Sequence, residues 1–289
     1  MVYSIKKANN IGVTGKNNNK TFLNKGGVVD RKIKSSFERI IINDVESLDL
    51  DIKNDYKLLI NCLESFVRYK TFSVSDVNMD DNFDYLHYQE LFDKYMDLYK
   101  NGSKREKSVM AAMFLATQLP KLPYFHGGGH ELSMDKFIGL NPNWGKNATI
   151  KFGSDNQKEG EVYPYFYDCS GFVTWAMCNG GYKFNVNDCP NALDLSNLGE
   201  KKELKNIDLS AVQVGDLAWR KGHVGMIVDV SKTNHEIKVA HTSYSGEGMN
   251  ITTINTDTGR IVYDSVGSSN VDRIGDEYFT HITLMDYGE

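Results

Sequence analysis

The stretch from Val214 to Thr242 restricts the fold more than any other part of the chain. Three β-prone runs, Leu217 to Trp219, His223 to Val228 and Glu236 to Thr242, alternate with turn residues at Gly215-Asp216, Arg220-Lys221-Gly222 and Ser231 to His235. Such short connections join antiparallel neighbours, because a parallel partner needs a long crossover. In an antiparallel pair the start of one strand lies opposite the end of the next. His223 and His241 therefore become cross-strand neighbours, close enough for one imidazole to hydrogen-bond the other.

A helix completes this sheet. Asp168-Cys169-Ser170-Gly171-Phe172-Val173 follows the aromatic loop residues Tyr165, Phe166 and Tyr167, and Phe172, Val173, Trp175, Ala176 and Met177 supply a buried helical face. Cys169 then sits in the first turn, where unpaired N–H groups and the positive end of the helix dipole favour thiolate over thiol. Ser170 and Gly171 leave room for a substrate carbonyl, and the free amides can hold its developing oxyanion. A thiol nucleophile needs a base, and the base needs an orienting group. Singly, Cys169, His223 and His241 have plain readings as a small core residue, a satisfied core histidine and a surface strand residue. In this order, each at the end of an element, they read together as a nucleophilic constellation.

These residues carry a family resemblance. Asp168 to Val173, Gly215-Asp216-Leu217, His223-Val224-Gly225-Met226 and Ala240-His241 resemble the signature blocks of the NlpC-type cell-wall cysteine peptidases. Upstream, Leu122-Pro123-Tyr124-Phe125-His126-Gly127-Gly128 is similar to the family's Pro-Tyr-aromatic-x-Gly-Gly segment. The resemblance covers roughly residues 103–287 and implies an α+β, papain-like fold with a central antiparallel sheet and the nucleophile at a helix N-terminus. It implies hydrolysis of peptidoglycan stem peptides, often between γ-D-glutamate and a diamino acid, with no cofactor. Cys169 would be the nucleophile, His223 the general base and His241 the orienting residue. Tyr124 and Asp168 would line the cleft and help bind the peptide's amino end, with Ser170 beside them. One departure is the long segment from Gly129 to Tyr163, where the family uses a short loop. It reads equally as a flap that selects substrate or as a solvated surface excursion.

Composition removes other classes. The chain has 289 residues, 40% hydrophobic and 25% charged, which suits one to two globular domains. A formal net charge of −5 speaks against nucleic acid as a partner and gives no global steering toward acidic wall polymers. Cys62, Cys169, Cys178 and Cys189 lack metal-ligand spacing, and a Cys178–Cys189 disulfide is open on proximity alone. His126 and His130 are separated by three glycines, which do not hold two ligands on a helical face, so no metal is expected. The run from Asp76 to Asp84 starts like a calcium loop, but Asp81 replaces its glycine and His87 its bidentate glutamate.

The sequence divides into a flexible leader over 1–28, a helical region over 29–102 and the peptidase-like region over 103–289. Helices are expected from Asp51 to Tyr69 and from about Asp84 to Lys100, each with an apolar face. A capping box, Ser103-Lys104-Arg105-Glu106, opens a third through Leu119 before Pro120. Residues 29–102 carry no chemical set and would contact a partner protein or the wall. Met1 to Gly27 has no signal-peptide core and no later run suits a membrane span. The expected setting is extracellular or wall-associated, as an excised part of a longer exported protein, with a cytoplasmic role on wall fragments as the other reading. An amidase cutting the glycan–peptide link, a protein-directed peptidase, and a silent wall-binding or scaffold module remain as alternatives.

Overall fold

The computed structural model describes residues 23–24, 27–28, 85–97, 100–116, 122–154, 157–243, 248–264 and 275–288. The chain forms two compact units, one of 1–71 with 117–120 and one of 72–116 with 121–289. In the first, Leu23–Asn24 (β1) pairs antiparallel with Gly27–Val28 (β2). The helix expected over 51–69, Cys62, the calcium-loop-like run from 76 to 84 and the rest of the leader lie outside the described residues.

The second unit is α+β. Helices α1 (Tyr85–Asp97) and α2 (Lys104–Ala116) come first, then a 3₁₀ turn at Met134–Phe137 and the hairpin β3 (Asn147–Thr149) with β4 (Val162–Pro164). Helices α3 (Cys169–Asn179) and α4 (Ala192–Ser196) precede the strands β5 (Glu200–Glu203), β6 (Leu217–Arg220) and β7 (His223–Ser231). The chain continues with β8 (Glu236–Ser243), β9 (Gly248–Asn255), β10 (Arg260–Asp264) and β11 (His281–Leu284). These seven strands form one antiparallel sheet in the order β10-β9-β8-β7-β6-β11-β5, so β11 fills the place between β6 and β5.

Local chemistry sets these elements. Ser103 and Glu106 form the expected capping box, with Glu106 N–H donating to Ser103 Oγ at 3.1 Å and Ser103 N–H to Glu106 Oε2 at 2.6 Å. From Ser108 to Leu115 every residue of α2 is buried, as is every residue of α3 from Cys169 to Cys178. Both helices are wrapped on all sides and pack on each other and on β7 and β8. Alternation along the strands places Ile227, Ile237 and Val239 in an apolar core with Ala218, Ile254, Phe279 and Ile282, on the face shared by His223 and His241. Strand β7 runs to Ser231, three residues past the expected end, because pairing with β8 resumes beyond a bulge after Ile227.

Residues on either side of position 102 fall in the same unit. Phe92 of α1 packs against Phe114 and Trp175 with ring centroids 5.3 and 5.1 Å apart, so this ring of α1 belongs to the core of the sheet-bearing unit. The described part of the segment from Gly129 to Tyr163 is anchored in the core at several points. Trp144 is buried among Phe166, Tyr167 and Trp175, and Phe137 stacks on Tyr167. Gln157, fully buried, accepts from His126 N–H at 2.9 Å and donates to the Tyr124 carbonyl at 3.0 Å. Removing this segment would therefore remove core.

Candidate active site

Asp168 is the N-cap of α3. Its Oδ1 accepts from the Gly171 amide at 2.8 Å and from the Ser170 hydroxyl at 3.0 Å. The cap starts the helix at Cys169, which is 6% exposed. Close backbone packing holds this start in place: a Cβ on Gly171 would lie 2.2 Å from the Gly128 carbonyl oxygen, and Asp168 N–H donates to that same oxygen. The Gly127-Gly128 block and the cysteine block are thus one joint.

The thiol meets the start of β7. The Val224 N–H, one residue past His223, and the Ser170 and Cys169 amides all favour the thiolate, as the helix-start position predicts. Burial, reinforced by the Asp168 carboxylate, outweighs them and pushes the Cys169 thiol up to about 12. The helix-start preference for thiolate is opposed here by desolvation, the larger of the two influences on the thiol.

The two histidines come together as the hairpin register requires. His223 Nε2 lies 2.9 Å from His241 Nδ1. They are diagonal neighbours, with Gly225 between them. A Cβ on Gly225 would come within 2.5 Å of Val239 Cγ1 and 2.8 Å of His241 Cβ, so only glycine leaves this approach open. Beyond, His241 Nε2 lies 2.8 Å from Thr252 Oγ1, which donates to Asn250 Oδ1 at 3.1 Å. With the Thr252 proton directed to Asn250, its oxygen accepts from His241 Nε2–H. His241 Nδ1 then accepts from His223 Nε2–H, and the basic nitrogen of His223 is Nδ1. Phe279 stacks on His223 at 5.4 Å and meets His241 edge-on at 5.4 Å, while Tyr278 packs on both rings.

Tyr124 is half-buried, and its hydroxyl is raised by burial, then by Asp168, Cys169 and Tyr278. Its charge-sensing neighbours therefore include both Asp168 and Cys169, so Tyr124, Asp168, Cys169 and Ser170 share one neighbourhood. Sequence reasoning set His130 aside, yet its Nε2 lies 2.9 Å from Ser170 Oγ and 3.1 Å from Asp168 Oδ2. Its hydrogen bond to Asp168 is the largest influence on a raised imidazole pKa. Thr252, Asn250, Tyr278 and Phe279 were also missed; alternation along β9 was the one available signal, since it puts Asn250 and Thr252 on the same face. Cys178 and Cys189 are buried free thiols, so the possible bridge does not form. Among the described residues, no cluster of three or more His, Cys, Asp or Glu side chains suits a metal, and no helix is long and apolar enough to cross a membrane. Neither protein-family models nor curated protein sequences match the chain.

Proposed function

We propose that this chain is a papain-like cysteine peptidase that hydrolyses amide bonds in the stem peptides of bacterial peptidoglycan. The observation that carries the reading is a cysteine at a helix start, set against the first residues of β7, with a buried His223–His241–Thr252 relay behind it. In the reaction, His223 Nδ1 takes the thiol proton as the Cys169 sulfur attacks the amide carbonyl. Amides of the first turn of α3 hold the oxyanion. The His223 imidazolium then protonates the leaving nitrogen, and the amine departs from a thioester. Water, deprotonated by His223, attacks the thioester and releases the acid and the free thiol. A thiol raised by burial suits this order, since proton transfer accompanies attack.

The substrate class rests on the resemblance of the five residue blocks to the NlpC-type enzymes, which favours the bond between γ-D-glutamate and a diamino acid. That substrate would put the enzyme at the wall. A second reading, a wall-binding module without turnover, draws support from the deep burial and high pKa of Cys169. Digestion of purified peptidoglycan, followed by mass spectrometry of released peptides, separates the two. The full chain should release soluble peptides, and Cys169→Ala should lower the rate by at least about 10³-fold. Equal release by a folded Cys169→Ala protein would end the nucleophile assignment.

A further inference from the structure

A cavity of about 460 Å³, lined on one side by His130, has two walls of different origin. Phe125 and His126 come from the block that follows Tyr124, whereas His130, Glu131, Lys151 and Phe152 belong to the long segment from Gly129 to Tyr163. The cavity reaches the active site through one residue, because the His130 ring that lines it also bonds Ser170 and Asp168 on either side of Cys169. Phe152 is 78% exposed and stands at the cavity as an apolar ring with nothing over it.

The polar lining is unbalanced toward donors. Both ring nitrogens of His126 are buried and have no hydrogen-bond partner among the described residues. Lys151 is exposed and has no ion-pair partner among them. The one acid, Glu131, already accepts from the Tyr165 hydroxyl, whose oxygen in turn accepts the Gly129 N–H at 3.1 Å. Buried polar atoms are ordinarily paired, so the His126 imidazole, whose nitrogens are closed off from solvent, gains a partner by turning its ring into the cavity toward a ligand atom. An ammonium group and an imidazole N–H beside an aromatic floor suit an anion on a short apolar stem.

We infer that this cavity is a subsite for a carboxylate-bearing group of the substrate peptide, held by Lys151 and His126 and walled by the insertion. The inference rests on the peptidase reading and adds the chemistry that the insertion selects. The test uses two synthetic wall peptides that differ only in the α-carboxyl group of the γ-linked glutamate, free in one and carboxamide in the other.

The full chain should cleave the free acid about tenfold more efficiently in kcat/KM, the size of one charge-assisted contact. Lys151→Gln and His126→Phe should each reduce that preference, acting on KM. Cleavage of both peptides within about twofold by the parent, or a preference that survives both substitutions, overturns the subsite and leaves the peptidase reading standing. Cleavage of neither peptide counts against the peptidase reading. The subsite is then judged by equilibrium binding of the same two peptides to the full chain and to Lys151→Gln. A preference for the acid that depends on Lys151 sustains it, and equal binding overturns it.

Discussion

Asp216 and Asp168 are both buried acids at the start of a working element, but they are closed in different ways. Asp216 Oδ1 takes Arg105 Nη1 at 2.8 Å and the Met285 amide at 3.0 Å, and Oδ2 takes the Gln213 amide at 2.8 Å. Arg105 also donates to the carbonyls of Val214 and Met285 and lies over the Tyr287 ring at 4.8 Å. That cluster fastens α2, the turn before β6 and the C-terminal segment together. Its cation is permanent. Asp168 is closed by its own helix on one oxygen and on the other by His130, a titratable group 31% exposed at the wall of a cavity. In sequence, Gly215-Asp216 reads as a turn and Asp168 as the opening of a helix, and neither reading says what closes the carboxylate. What separates scaffold from site is whether the group completing the carboxylate is fixed or can respond to solvent and ligand.

The largest expected contrast is between losing chemistry and losing structure. Cys169→Ala should abolish turnover with an unchanged urea midpoint. Arg105→Ala should do the reverse, because it leaves the Asp216 carboxylate buried without its cation. Removing one partner of a buried pair costs about 3–5 kcal/mol. Urea unfolding at pH 7, paired with turnover per folded molecule, reads both. A cost under about 1 kcal/mol for Arg105→Ala would erase the distinction between the two acids.

Smaller effects should come from the relay. His223→Ala should cost nearly as much as Cys169→Ala, since it removes the proposed proton acceptor. His241→Ala should cost less, and His241→Asn less again, because the amide oxygen can accept from His223 Nε2–H. Thr252→Val, which cannot accept from His241 Nε2–H, should fall near His241→Asn. Values of kcat across the four variants give the order. A His241→Ala enzyme slower than His223→Ala would exchange the two roles.

How much of this was legible in the sequence depends on the range of the interaction. The hairpin register follows from alternation and turns, so the meeting of His223 and His241 could be read from residues 214–242. The helix start follows from Asp168 and the buried run after it. Desolvation of Cys169 could not be read this way, because it depends on what covers the thiol from β7 and beyond. The same applies to His130, whose partner lies thirty-eight positions along the chain. His130 looked like a discarded metal ligand because its local context is only glycine. The insertion misled for a related reason. Asn141-Pro142-Asn143-Trp144-Gly145 has loop composition, yet Trp144 fills a space lined by Phe166, Tyr167 and Trp175 that only the folded chain creates.

The finest test of the comparison is a difference in pH response. His130 is raised above its ordinary value of 6.5, chiefly by its hydrogen bond to Asp168, with smaller contributions from Glu131 and Asp194 and an opposing one from burial. A group whose folded pKa lies above its unfolded value stabilises the native state fully below the unfolded value. That contribution is lost as pH rises through the folded value. The parent should therefore lose thermal stability from about pH 6.5 upward relative to His130→Gln, whose amide can still donate to Asp168 but does not titrate. The Arg105–Asp216 pair should add no slope in this window, since its guanidinium stays charged. Melting temperatures of the parent, His130→Gln and Arg105→Ala across this range provide the measurement. Arg105→Ala should keep the parent's slope at a lower temperature, and His130→Gln should be the flatter curve. Parallel curves for the parent and His130→Gln would mean that His130 closes Asp168 as a fixed neutral donor, and the two acids would then be alike.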